Sequence, residues 1–361
     1  VWIMAYTTID KPDEYFNTVL YTGNGGTLAV SGVNFQPDFV WLKNIGATAH
    51  HNLYNVVTGA TKYVQSSTDL YEQTSSTGLT AFSSDGFSLG SDSVTNTSSN
   101  NYVSWNWKAG GSASSNSNGS ITSSVSVNTA AGFSVVSYTG VGAARTIGHG
   151  LGATPTAILV KNRNYSTGGG GHGRDWVTWN SGLAANQSLR LNGTAAAATD
   201  AVVWNNTLPT SSVFSVGNEL GSGQAYNYIA YCFTDIKGYS KCSTYTGNGS
   251  DNGPFVWTGF KPAFLMIKSI SAGGTYYNWG MWDNKRSPLN VNNKILAANR
   301  NDDENDASNL GTDRNVDFLS NGFKQRRGIS ENYNASGVSY MYMAFAENPF
   351  VTSEGVPATA R

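Results

Sequence analysis

Apolar and polar positions follow one pattern in three places along the chain. "PDFVWLK" (37–43), "PTAILVK" (155–161) and "PAFLMIK" (262–268) each set a proline ahead of a short apolar run that closes on lysine. Such a run puts Phe39 and Trp41 on one face of a strand and Val40 and Leu42 on the other, so both faces must be covered. A second apolar segment follows each of these: "YVSWNW" from Tyr102, "YNYIAYCF" from Tyr226 and "YMYMAF" from Tyr340. In the middle copy Tyr226, Tyr228, Ala230 and Cys232 share one face, with Ile229, Tyr231 and Phe233 on the other. That alternation predicts a strand.

Two further landmarks complete the pattern. "YTGNG" occurs at 21–25 and 245–249, with "YTGVG" at 138–142, and its Gly25, Gly142 and Gly249 suit the positive φ of a tight turn. "DGFSLG", "VFSVG" and "NGFKQ" place a Phe beside a Gly ahead of each closing strand. Four landmarks in one order, three times over, predict three β-sandwich units of about 110 residues, jelly-roll or lectin-like, in an all-β chain. The expected division is an amino-terminal arm (1–15), repeats at 16–111, 132–240 and 241–350, and a carboxyl-terminal arm (351–361). A Ser/Gly/Asn-rich linker (112–131) separates the first two repeats, and the tighter "TDIKGYSKC" junction pairs the second with the third. Pro12 with "DEYF" predicts one short helical turn.

Composition sharpens this picture. Charged residues make up 12% of the chain, about half the roughly 25% usual in soluble domains, so the surface is built from Ser, Thr, Asn and Gly. A net charge of −1 argues against nucleic-acid binding, which runs on a basic excess. No apolar run is long enough to insert in a membrane as a helix. The amino end lacks a basic region followed by an apolar core, which predicts no signal peptide, and Met4 stands where a start is expected. Cys232 and Cys242 make no disulfide framework; two packed thiols are expected, with a single bridge as the alternative.

Candidate chemistry is sparse. A phosphate-cradling glycine loop must open a helix, and neither "TLAVSG" after Gly25 nor "AARTIGHG" after Gly142 does so, so the YTG segment reads as a turn. Lys43, Lys161 and Lys268 recur at one place and read as strand-end lysines whose amines meet water or a carbonyl. His50, His51, His149 and His172 lack metal spacing, and no Gly-x-Ser-x-Gly elbow occurs. Asp302, Glu304 and Asp306 alternate as in a calcium loop, but without its mid-loop glycine and closing glutamate; they are a weak metal candidate and no cofactor is expected. Trp176, Trp179, Trp204, Trp279 and Trp282 lie in irregular stretches and are the glycan-contact candidates, since aromatic faces stack on sugar rings.

With "FQPDFVWLKN", "SDGFSLG", "GHGLGATPTAILVKNR", "DNKRSPLNV" and "YMYMAFAENPF" in view, the chain resembles repeat-bearing virion proteins of tailed bacteriophages, known from marine and freshwater sources. The resemblance implies a tail-fibre or head-appendage component with lectin-like sandwiches, exposed on the particle, and carries over no catalytic residue. It implies a non-enzymatic structural or adhesive protein, a homo-oligomer of trimeric form, docked through its terminal arms on capsid or tail proteins and able to touch a host glycan. The alternatives are a secreted lectin-like adhesin and, behind it, a polysaccharide depolymerase.

Overall fold

The computed structural model describes residues 6–165, 175–219, 222–304, 315–326 and 332–359. Within them the chain is all-β, with every ladder antiparallel, and the strands form three sheet pairs and one small two-stranded sheet, Gln187–Ser188 with Ala198–Thr199. In the first, the large sheet runs Phe16–Thr22, Asn101–Trp107, Phe39–Asn44, Asn52–Asn55, then two further strands. The same order of opening, closing, lysine-ended and hairpin strands returns as Phe133–Thr139, Asn227–Phe233, Ala157–Asn162, Val177–Asn180. It returns again as Ser240–Thr246, Ser339–Pro349, Phe260–Ser269, Gly280–Asp283. A small sheet covers the outer face of each, holding Leu28–Val30, Arg145–Gly148 and Phe255–Trp257 respectively. Val40 and Leu42 pack outward with Val30, Phe87 and Leu89 under that cover, so each pair is a β-sandwich.

The YTG turn has one physical explanation in all three places. Tyr21, Tyr138 and Tyr245 stack on Tyr102, Tyr228 and Tyr340 of the neighbouring closing strand, centroids 4.9, 5.1 and 5.1 Å apart. Their hydroxyls donate to the carbonyls of Thr95, Ser222 and Tyr333 at 2.7, 2.7 and 2.6 Å. The next glycine lies against the loop that feeds the closing strand. A Cβ on Gly23, Gly140 or Gly247 would sit 2.2, 2.1 or 2.3 Å from the oxygen of Thr97, Gln224 or Ala335, which no L side chain tolerates. Two residues on, Gly25, Gly142 and Gly249 take φ of 73°, 71° and 66°.

Several expectations change. The segment 112–131 is no linker: Ser114–Asn116 and Ser123–Asn128 extend the second large sheet, with Val125 buried. Its Ser/Thr content suits an edge strand with one wet face, which composition alone does not separate from a linker. The described parts of the arms, residues 6–15 and 351–359, are folded back rather than extended. Thr7 and Ile9 are buried, Tyr6 Oη donates to Gly259 O, and Thr7 Oγ1 to Lys237 O. At the other end Ala358 N donates to Phe350 O, and Ser353 N to Asp10 Oδ1. The helical turn is a 3-10 turn at Pro12–Glu14. Cys232 and Cys242 are free, buried thiols held protonated by burial.

The inner faces of the three large sheets meet on one another, not only the second on the third. Phe39 stacks on Tyr231 at 4.2 Å, Trp107 contacts Phe233 and Phe345, and Phe16 contacts Phe264. These rings close around an apolar space of about 10 Å³ lined by all three sheets. Interlocking rings of this size account for a large share of the burial energy, about 1.5–3 kcal/mol each.

Candidate functional site

The recurring lysines sit at the three corners between sheet pairs, and the contacts run one way round. Lys43 Nζ donates to Asn44 O at 2.6 Å and reaches Asn301 O in the third pair at 3.4 Å. Lys161 reaches Thr68 O in the first pair at 3.5 Å and lies 5.8 Å over the Trp176 ring. Lys268 donates to Thr194 O, Ala195 O and Ser269 O at 3.2, 3.0 and 3.1 Å, the first two in the second pair. All three are buried. Burial lowers Lys43 to about 8, with Asp303 and Asp302 opposing, and lowers Lys268 to about 7. The lysines are ties between sheet pairs.

The tryptophan candidates are corrected by their surroundings. Trp176, Trp204, Trp279 and Trp282 are at most 2% exposed, and Trp179 5%. Trp176 Nε1 donates to Gln65 O across one corner, and Trp279 Nε1 to Arg190 O across the next. His51 holds the equivalent place in the first pair, where its Nδ1 accepts from Trp41 at 2.9 Å. Its basicity is pushed far down by burial, then by Lys43. Trp179 and Trp204 fill the second sandwich with Phe214, and Trp282 packs edge-on against Tyr333. Large rings in irregular segments served the corners and the cores, so none presents a face to a sugar.

The calcium candidate is also corrected, as far as it is described. Asp302 pairs with Arg300, and Glu304 with Lys294 at 2.7 Å and with Arg286 at 3.6 Å, so both carboxylates face cations of the protein. Asp306 and His172 lie outside the described residues. Among the described residues no group of three His, Cys, Asp or Glu is placed to hold a metal ion. Among the described residues, His50 Nδ1 meets Ser67 Oγ at 2.9 Å. The charge acting on His50 is Lys43, which with burial lowers its basicity; a general base needs the opposite.

Two surface features remain, both on the third sheet pair. The first is a cleft of about 420 Å³ where the amino-terminal turn and the first pair meet the third. Its walls carry Asp13, Asn17, Asn34, Lys285, Glu347 and Asn348, over a floor including Phe16 and Ala263. Asn34 holds a left-handed φ of 73° and donates from Nδ2 to Asp13 at 3.0 Å. Asp85 fixes that loop by accepting Gly32 N and Asn34 N at 3.0 and 2.7 Å, and those amides lower its pKa. Glu347 lies 3.4 Å from Lys261 and accepts from Asn284 at 2.8 Å. This volume falls within the roughly 300–1,000 Å³ of small-molecule sites. Its amides and carboxylates match a polyhydroxylated ligand. The second feature is Phe255 and Trp257, 46% and 45% exposed on one face of their strand. Sequence reasoning passed over them, although "PFVW" between Gly253 and Gly259 already places both rings on one face.

The described residues thus form an all-β protein of packed sandwiches with a polar cleft on its surface. The chain belongs to the domain family of unknown function DUF7483, which it matches over residues 11–349. No curated protein matches the chain.

Proposed function

We propose that the chain is a non-enzymatic structural and adhesive virion protein of a tailed bacteriophage, an appendage of tail or head that holds a host surface glycan in the polar cleft. The cleft carries the adhesive half of this reading. Carboxylate, amide and ammonium groups converge there over a small apolar floor, the balance a sugar offers in return. The virion setting rests on the sequence resemblance. It is supported by the low charge and by the bonds of Tyr6 to Gly259 and of Ser353 to Asp10, which hold these segments on the body.

Mass spectrometry of purified virions tests the setting: the protein is expected among the particle components, and its absence refutes it. Binding of the isolated chain to host lipopolysaccharide tests the cleft. Asn348→Ala with Lys285→Ala is expected to weaken that binding about tenfold by removing two polar wall groups, while the melting temperature holds. Unchanged binding would remove the cleft from the reading.

A further inference from the structure

The exposed rings on the third sheet pair extend beyond one strand. Trp257 meets Phe350 at 5.3 Å and 73°, and Phe350 meets Tyr6 at 6.1 Å and 69°. With Phe255 they form an aromatic ledge from the small sheet to the folded-back amino end. Three ammonium groups rim it. Lys241 Nζ lies 3.2 Å from Trp257 O, Lys324 stands opposite Phe255 with Nζ 3.0 Å from Gly253 O, and Lys237 lies 4.5 Å over the Tyr6 ring. The carboxylate that feels Lys241, Asp235, accepts from Cys242 N and Thr156 Oγ1, both at 2.8 Å.

The sandwich itself does not call for these rings. The strands at the same place in the other two pairs, Leu28–Val30 and Arg145–Gly148, carry no aromatic residue and fold all the same. Half-exposed Trp and Phe forfeit the burial that makes such side chains stabilising. In a chain with 12% charged residues, three lysines around one patch make a local positive field.

We propose that the ledge binds an acidic polysaccharide, with sugar rings stacked on Trp257 and Phe255 and their carboxylate or phosphate groups paired with Lys241 and Lys324. The two rings are one strand repeat apart, about 7 Å, so an extended chain can cover both. The charge complementarity selects an anionic glycan over a neutral one. The ledge shares no residue with the cleft, so either site can fail without the other.

Titration calorimetry of the full chain against polygalacturonate, a phosphate-linked teichoic acid, neutral dextran and single-stranded oligothymidylate tests this. Binding to at least one of the two acidic glycans, weakened by salt and absent with dextran, is expected. Trp257→Ala is expected to reduce it about tenfold at unchanged melting temperature, through lost stacking. Lys241→Gln, which keeps every ring, is expected to reduce both the affinity and its salt dependence. Three results overturn the proposal: no binding to either acidic glycan, equal binding by Trp257→Ala, or tighter binding to oligothymidylate than to both glycans. The lipopolysaccharide result for Asn348→Ala with Lys285→Ala is read separately and bears on the cleft alone.

Discussion

Replacing Lys268 by Met tests the tie between the second and third sheet pairs. The ammonium donates to three carbonyls at 3.0–3.2 Å, two of them across the corner. Hydrogen bonds from a charged donor contribute about 1.5–3 kcal/mol each, and the cost of burying the charge offsets part of that sum. The lowered pKa, about 7, is the sign of that cost. Methionine fills the space of the stem but leaves the Thr194 and Ala195 oxygens without this donor, so a net loss of about 2–4 kcal/mol is expected. At roughly 2.1 cal/mol/K per residue this lowers the melting temperature by about 3–5 °C. Because the folded pKa lies below the unfolded value, the unfolded chain binds the extra proton between about pH 7 and 10. Stability of the parent protein therefore rises with pH across that window, by at most ~1.4 kcal/mol per unit from this group. The variant lacks this gain and falls further behind as pH increases. Calorimetric melting at pH 6, 7.5 and 9 would measure it. A variant as stable as the parent, or a difference that does not grow with pH, would refute the view of Lys268 as a buried tie.

Gly140→Ala is expected to destabilise by roughly 2–4 kcal/mol, since the new Cβ meets the Gln224 oxygen at 2.1 Å; a denaturant titration measures it. Replacing Gly249 by Val, at φ 66°, should likewise lower the melting temperature, while glycan binding per folded molecule stays constant. Tyr138→Phe deprives the Ser222 carbonyl of its 2.7 Å donor and should cost about 1–2 kcal/mol in the same assay. Cys232 and Cys242, buried and pushed up in pKa by that burial, should react with a thiol reagent at pH 8 only after denaturant is added.

The sequence exposed local design more fully than assembly. Tyr21, Gly23, Val40 and Leu42 act within one sheet pair, and their spacing announced both the strands and the turn. The corners were hidden because they join residues far apart: Lys43 with Asn301, Trp105 with Asp283, Trp176 with Gln65. No periodicity encodes such pairs. Trp176 and Trp279 looked like surface rings for this reason: each stands just before a hairpin strand and donates from Nε1 to a carbonyl of another pair, Gln65 O and Arg190 O. Trp257 escaped notice in a regular strand, where the ordinary expectation is burial.

Three sheet pairs in one covalent chain need not meet in the same way. Where the register places Trp105, Tyr231 and Met343 alike, the facing groups are Asp283, Asn55 and Asn180. Trp105 Nε1 donates to Asp283, itself joined to buried Arg286; Tyr231 takes a bond from Asn55 at 3.2 Å; Met343 offers no donor, and Asn180 Nδ2 has no partner. In an assembly of three identical chains any substitution is imposed three times, and a ledge such as that of Trp257 would appear on every chain. Here a substitution enters once. One corner can therefore differ from the other two, and each chain carries this ledge on its third sheet pair.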